Sequence, residues 1–137
     1  MTINDKLDAL ALALSTALPT RIVTREWRDP SLRKPAQLTA GVLTVIAQSG
    51  SDYANYPGRN ADLGTLEMVW VASLQVSQSG TGLDVEQAEL ALVAEVEGFL
   101  RALPAGLGDI VLTGWSQSGQ TETPYGWVLF RLSWPFL

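Results

Sequence analysis

The 137-residue chain contains no cysteine and no histidine. Without cysteine there is no disulfide scaffold, zinc–thiolate site, iron–sulfur cluster or cysteine nucleophile. Without histidine the usual general base, proton shuttle and commonest metal ligand are missing, and no Ser-His-Asp triad can be built. Charge is sparse: Asp, Glu, Lys and Arg make up 17% of residues, against roughly 25% in ordinary soluble domains. Nine basic residues face fourteen acidic ones, a formal net charge of −5. An acidic chain is a poor general binder of nucleic acid, whose affinity comes from neutralised phosphates. No apolar run reaches the roughly 20 residues of a membrane crossing; the longest candidate is residues 9–18. As a signal-peptide core that run has Lys6 before it and Ala17 near a cleavage position, but Asp5 and Asp8 stand where such a leader is basic. These absences predict a non-enzymatic chain with no cofactor and no metal. Five Trp are present. A Trp-rich, charge-poor domain either packs a large core or hides surface in an assembly. The length predicts one domain over residues 1–137.

Periodicity predicts the elements. Ile3, Leu7, Leu10 and Leu14 recur on one helical face over residues 3–18, with Thr2 or Asn4 as cap and Pro19 as stop. That face packs on the chain's own sheet or on a partner. Residues 20–27 and 38–48 read as strands, separated by a loop with Pro30 and Pro35. Residues 49–61 form a long polar loop, near the length at which loops have a job or are disordered. In residues 63–78, Leu66, Met68, Trp70, Ala72, Leu74 and Val76 alternate on one face of a strand. Residues 84–103 read as a helix capped by Asp84, with Val85, Leu92, Val96 and Phe99 buried and Glu86, Glu89, Glu95 and Glu97 mostly off that stripe. Residues 109–117 and 125–134 form a hairpin. The order α-β-β-β-α-β-β predicts an α+β domain: a mostly antiparallel sheet of four to five strands with two helices packed on one face.

Motifs for chemistry are weak. Gly114-Trp115-Ser116-Gln117-Ser118 has the start of a nucleophile elbow, but Ser118 replaces the last Gly, the element is a strand and no histidine can activate Ser116. Gly80-Thr81-Gly82 precedes a helix as a phosphate loop would, yet Asp84 puts negative charge there. Gln-Ser-Gly recurs at 48–50, 78–80 and 117–119 with unequal spacing, as punctuation rather than repeat.

Charge is segregated. Arg21, Arg25, Arg28, Arg33 and Lys34 lie in one stretch; Asp84, Glu86, Glu89, Glu95 and Glu97 lie on one helix. Such a division suits head-to-tail contact between copies, which closes into a ring when the rotation permits, or it is ordinary solvated surface. Trp134-Pro135-Phe136-Leu137 is apolar and either packs back on the core or docks on a neighbour. Asp52, Tyr53, Tyr56 and Arg59 are candidate contact residues of the long loop. Trp70, Trp115 and Trp127 can line a pocket for a small apolar ligand, or simply fill the core.

This arrangement resembles the tail-terminator, or tail-completion, proteins of long-tailed bacteriophages. The features that carry it are an N-terminal helix, a polar loop before a long strand (LGTLEMVWVASLQV), an acidic helix (DVEQAELALVAEVEGFLRAL) and a closing hairpin with an aromatic last strand (YGWVLFRLSW). The resemblance implies a minor tail protein that forms a ring, typically a hexamer, capping the tail tube and preparing head–tail joining. Its partners would be itself, the tube protein and a head-side connector, with no nucleic-acid specificity and no membrane. It would be found in host cytoplasm during assembly and then in the virion tail. On this reading the charged residues named above, with Trp134 and Phe136, are candidate subunit contacts, and the long loop 49–61 and the hairpin turn 117–124 are candidates for contact with the tube or a neighbour. The alternative is a small-ligand-binding or regulatory α+β domain.

Overall fold

In a computed structural model, which describes residues 2–52 and 64–135, the chain is an α+β domain built on one five-stranded sheet. Helix α1 (Ile3–Ala17) begins in a reciprocal capping box. The Asp5 N–H donates to the Thr2 hydroxyl at 3.1 Å, and the Thr2 N–H donates to the Asp5 carboxylate at 2.9 Å. Its buried face is Leu7, Leu10 and Leu14, the predicted stripe. Strand β1 (Ile22–Thr24) is short. A 3-10 turn (Pro30–Leu32) and helix α2 (Pro35–Ala40) then carry the chain across to β2 (Val42–Ser51), which runs parallel to β1. Strand β3 (Thr65–Gln75) is antiparallel to β2. Helix α3 (Gly82–Arg101) precedes the hairpin β4 (Val111–Gln117) and β5 (Tyr125–Pro135). The sheet order is β1-β2-β3-β5-β4, so β5 lies between β3 and β4, antiparallel to both.

Three expectations are corrected. Residues 38–40 are helix, not strand: Pro35 pre-sets φ at the first helical position and Gly41, at φ +87°, turns the chain out, so the strand starts at Val42. The cap of α3 is Thr81, whose hydroxyl accepts from the Asp84 N–H, while Asp84 sits three residues in and returns the bond. Among the described residues there are three α-helices, of which two share a face of the sheet.

Alternation sorts β3 and β5. Leu66, Met68, Trp70, Ala72 and Leu74 share one face with Val128, Phe130, Leu132 and Trp134, and α1 and α3 cover it in a single cluster. Trp70 is fully buried and meets Phe99 of α3 at a ring-centroid distance of 6.3 Å. The opposite face is covered only in part: Leu38 of α2 is buried, as are Val42 and Thr44, outside that cluster.

Two carboxyls at element starts lie below their ordinary pKa of 3.8. Asp5 is lowered by bonds from the backbone and then the side chain of Thr2, and Asp29 by bonds from the backbone and then the side chain of Ser31. A depressed native pKa means stability present above the unfolded value and lost as pH falls through the native one. In an acid titration followed by NMR, the Thr2 and Ser31 amides should therefore shift with midpoints below pH 3.8. A midpoint at or above that value would contradict the capping bonds.

Candidate assembly surfaces

The basic stretch and the acidic helix meet inside one chain. The Arg21 guanidinium grips Glu95 of α3 with two nitrogens, Nε to Oε1 at 3.3 Å and Nη2 to Oε2, while Nη1 donates to the Ala40 carbonyl at 3.0 Å. One side chain thus ties the entry to β1, the end of α2 and the middle of α3. Arg25 turns back to α1, where Nη1 meets Asp8 Oδ1 and Asn4 Oδ1, both at 2.7 Å. Arg28 lies 3.5 Å from Glu26 and is exposed. Arg33 donates to the Glu26 carbonyl at 3.1 Å, and Lys34 caps α2 through its own N–H, bonded to Gln37. On α3, Asp84 belongs to the cap, Glu86 accepts from Gln120 at 3.2 Å, and Glu97 is partly exposed.

Glu89 and Trp134 cannot be surface contacts of the folded subunit. Glu89 is fully buried. Its carboxylate accepts from Gln117 Nε2 at 3.1 Å, from the Ser118 hydroxyl and from the Trp127 N–H at 2.9 Å. It is the buried polar link between α3 and the β4–β5 hairpin. Beneath it is Gly126: a Cβ there would lie 2.6 Å from both Glu89 Oε2 and Val85 Cγ1. Trp134 is 2% exposed and its indole N–H donates to the Leu107 carbonyl at 2.6 Å, so this end of the chain packs on its own core as far as Trp134. Phe136, Tyr53, Tyr56 and Arg59 lie outside the described residues; Asp52 is exposed beside them, at φ +60°.

The tryptophans divide between faces. Trp70 is core and Trp115, opposite Phe130 in the register, is on the helix side of the outermost strand; Trp127 is on the other face. The three do not line one pocket. A different groove, of about 880 Å³, lies on the second face. Its floor is Val71, Ser73, Trp127 and Leu129; its wall is the crossover from Trp27 to Leu38. A shallower groove of about 640 Å³ runs between α1 and α3, lined by Ala13, Gly98 and Phe99 among others. Ser116 lies on the second face opposite Leu129, on a strand that leads into the hairpin turn.

The second face was readable in part. Val69, Val71, Trp127 and Leu129 alternate with the core residues, so both faces of β3 and β5 carry apolar side chains, whereas a solvated face would be polar. The place of Glu89 was readable too. It sits four residues after Val85 and three before Leu92, on the buried stripe rather than off it. Among the described residues no His, Cys, Asp and Glu group could hold a metal ion, and no helix is long and apolar enough to cross a membrane. No protein-family model and no curated protein matches the chain.

Proposed function

We propose that this chain is a structural assembly subunit, and that it forms the ring that caps a phage tail tube, ends tube polymerisation and prepares head–tail joining. The observation that carries the assembly reading is the two-faced sheet. Helices α1 and α3 cover one apolar face, and much of the other stays open with Val69, Val71, Trp127 and Leu129 partly exposed. Contiguous apolar surface of this kind marks protein contact. The tail-tube part of the reading rests on the resemblance of element order and closing hairpin. Because Arg21 and Glu95 are spent within the chain, the ring's charge pairing falls to residues such as Arg28 and Glu97. The test adds the chain to polymerising tail-tube protein. Tubes of limited length with a ring at one end, seen by electron microscopy, are expected; tubes of unchanged length and bare ends would refute it.

A second reading, a non-enzymatic ligand-binding domain, draws on the groove beside Trp27 and Trp127, whose volume is within the usual range for small-molecule sites. Quenching of Trp fluorescence by a small ligand, lost in Trp127→Leu, would favour it.

A further inference from the structure

The open sheet face is differentiated along its strands. At one end, the crossover wall and the sheet form the groove, where Trp27, Tyr125 and Trp127 are joined by Asp29 and Glu122. The groove's single cation, Arg33, is engaged by the Glu26 carbonyl. In the middle, Val71 and Leu129 stand opposite each other on β3 and β5. At the far end is Arg131, exposed, whose side chain makes no ion pair among the described residues, and Glu67, which accepts from the Ser133 hydroxyl at 3.3 Å.

We propose that this face pairs with the same face of a second copy, about a two-fold axis that runs across the strands over the Val71–Leu129 row. The register supplies the argument. On β5, Trp127 and Arg131 flank Leu129 symmetrically; on β3, Glu67 and Gln75 flank Val71 symmetrically. Such an axis carries Arg131 of one copy onto Trp127 of the other, and Glu67 onto Gln75. The unpaired guanidinium then enters a groove of aromatic rings edged by two carboxylates, an arrangement that suits a cation through both ring faces and charge. Glu67 meets an amide that can donate to it. Val71 and Leu129 of both copies form the dry centre. The wall over residues 27–38 rises at one end only, so the same axis sets each copy's wall above the other's bare end, at Ile46 and Val69. The contact is isologous and closes at two copies. It goes beyond the ring reading: it describes the free chain, and the pair must part before the same face can serve a ring assembled on the tube end.

The experiment is sedimentation equilibrium on the wild type, on Arg131→Glu, on Glu122→Arg and on an equimolar mixture of the two variants. Each single variant opposes like charges twice per pair and should weaken association roughly ten- to hundred-fold. The mixture sets opposite charges together at both contacts and should regain a two-chain mass. Both residues are exposed, so an unchanged far-ultraviolet circular dichroism spectrum serves as the folding control. A wild type that stays monomeric overturns the proposal. So does a wild type whose mass, at two chains or six, is untouched by either reversal, and so does a mixture that fails to recover. Tube capping is assayed separately, so loss of this pairing and loss of the capping activity are distinguishable.

Discussion

Replacing Glu89 with Ala lowers the unfolding free energy by about 3–5 kcal/mol, the cost of three stranded donors less what relaxation recovers. The size follows from what is left behind. Glu89 is fully buried, and its removal strands the Trp127 N–H, the Ser118 hydroxyl and the Gln117 amide around a new cavity. Each stranded donor costs about 1–3 kcal/mol of desolvation, and part of that is recovered where water or relaxation reaches it. Glu89→Gln keeps the shape but turns one acceptor into a donor that faces donors, so it falls between Ala and wild type. Urea unfolding checks this: the midpoint should drop with little change in slope. A midpoint within experimental error of wild type for Glu89→Ala would mean that the three bonds contribute nothing.

Gly126→Ala comes second in size. At 2.6 Å from Glu89 Oε2 and Val85 Cγ1, and 3.1 Å from Leu74 Cδ1, an added methyl has no space. Overpacking a core costs about 1–3 kcal/mol, and here relief requires α3 to lift from β5, which stretches the bonds to Glu89. The two substitutions share one contact, so their effects should not add: in Glu89→Ala/Gly126→Ala the clash with Glu89 Oε2 is gone, while that with Val85 Cγ1 remains. A double-mutant cycle should give a coupling above about 0.5 kcal/mol in the favourable direction. Strict additivity would show that α3 does not bear on Gly126 as described.

Most of the architecture was legible in the chain. Leu7, Leu10 and Leu14 announce α1 by spacing, and the alternation from Leu66 to Leu74 announces β3. What was not legible has physical causes. Residues 38–40 run straight into the apolar, β-branched stretch from Val42 and so read as its start; a proline at the first turn and a left-handed glycine at the end decide for helix. That β5 inserts between β3 and β4 is a long-range choice that no local pattern encodes. The charge segregation hides one pairing, because sequence distance conceals spatial contact: Arg21 and Glu95 are far apart in the chain and joined in the fold. Trp134 reads as a sticky terminus until its neighbour Leu66 places it in the core.

The sheet order has a consequence for synthesis. Strand β3 has its β2 partner available as soon as both are made, but its other edge waits for β5, made only after α3 and β4. Until then an eleven-residue edge with apolar side chains on both faces is open on the nascent chain, the kind of edge that templates wrong pairing. Helix α3 emerges in the interval and can settle on the core face first, with Glu89 already at its inner surface. The Trp127 N–H and the hairpin hydroxyl of Ser118 then have one acceptor to find, and Gly126 lets β5 close beneath it. A one-residue slip would put Val128 where Trp127 belongs and turn the core residues of β5 outward. The buried carboxylate thus marks the register for the last strand before that strand has been made.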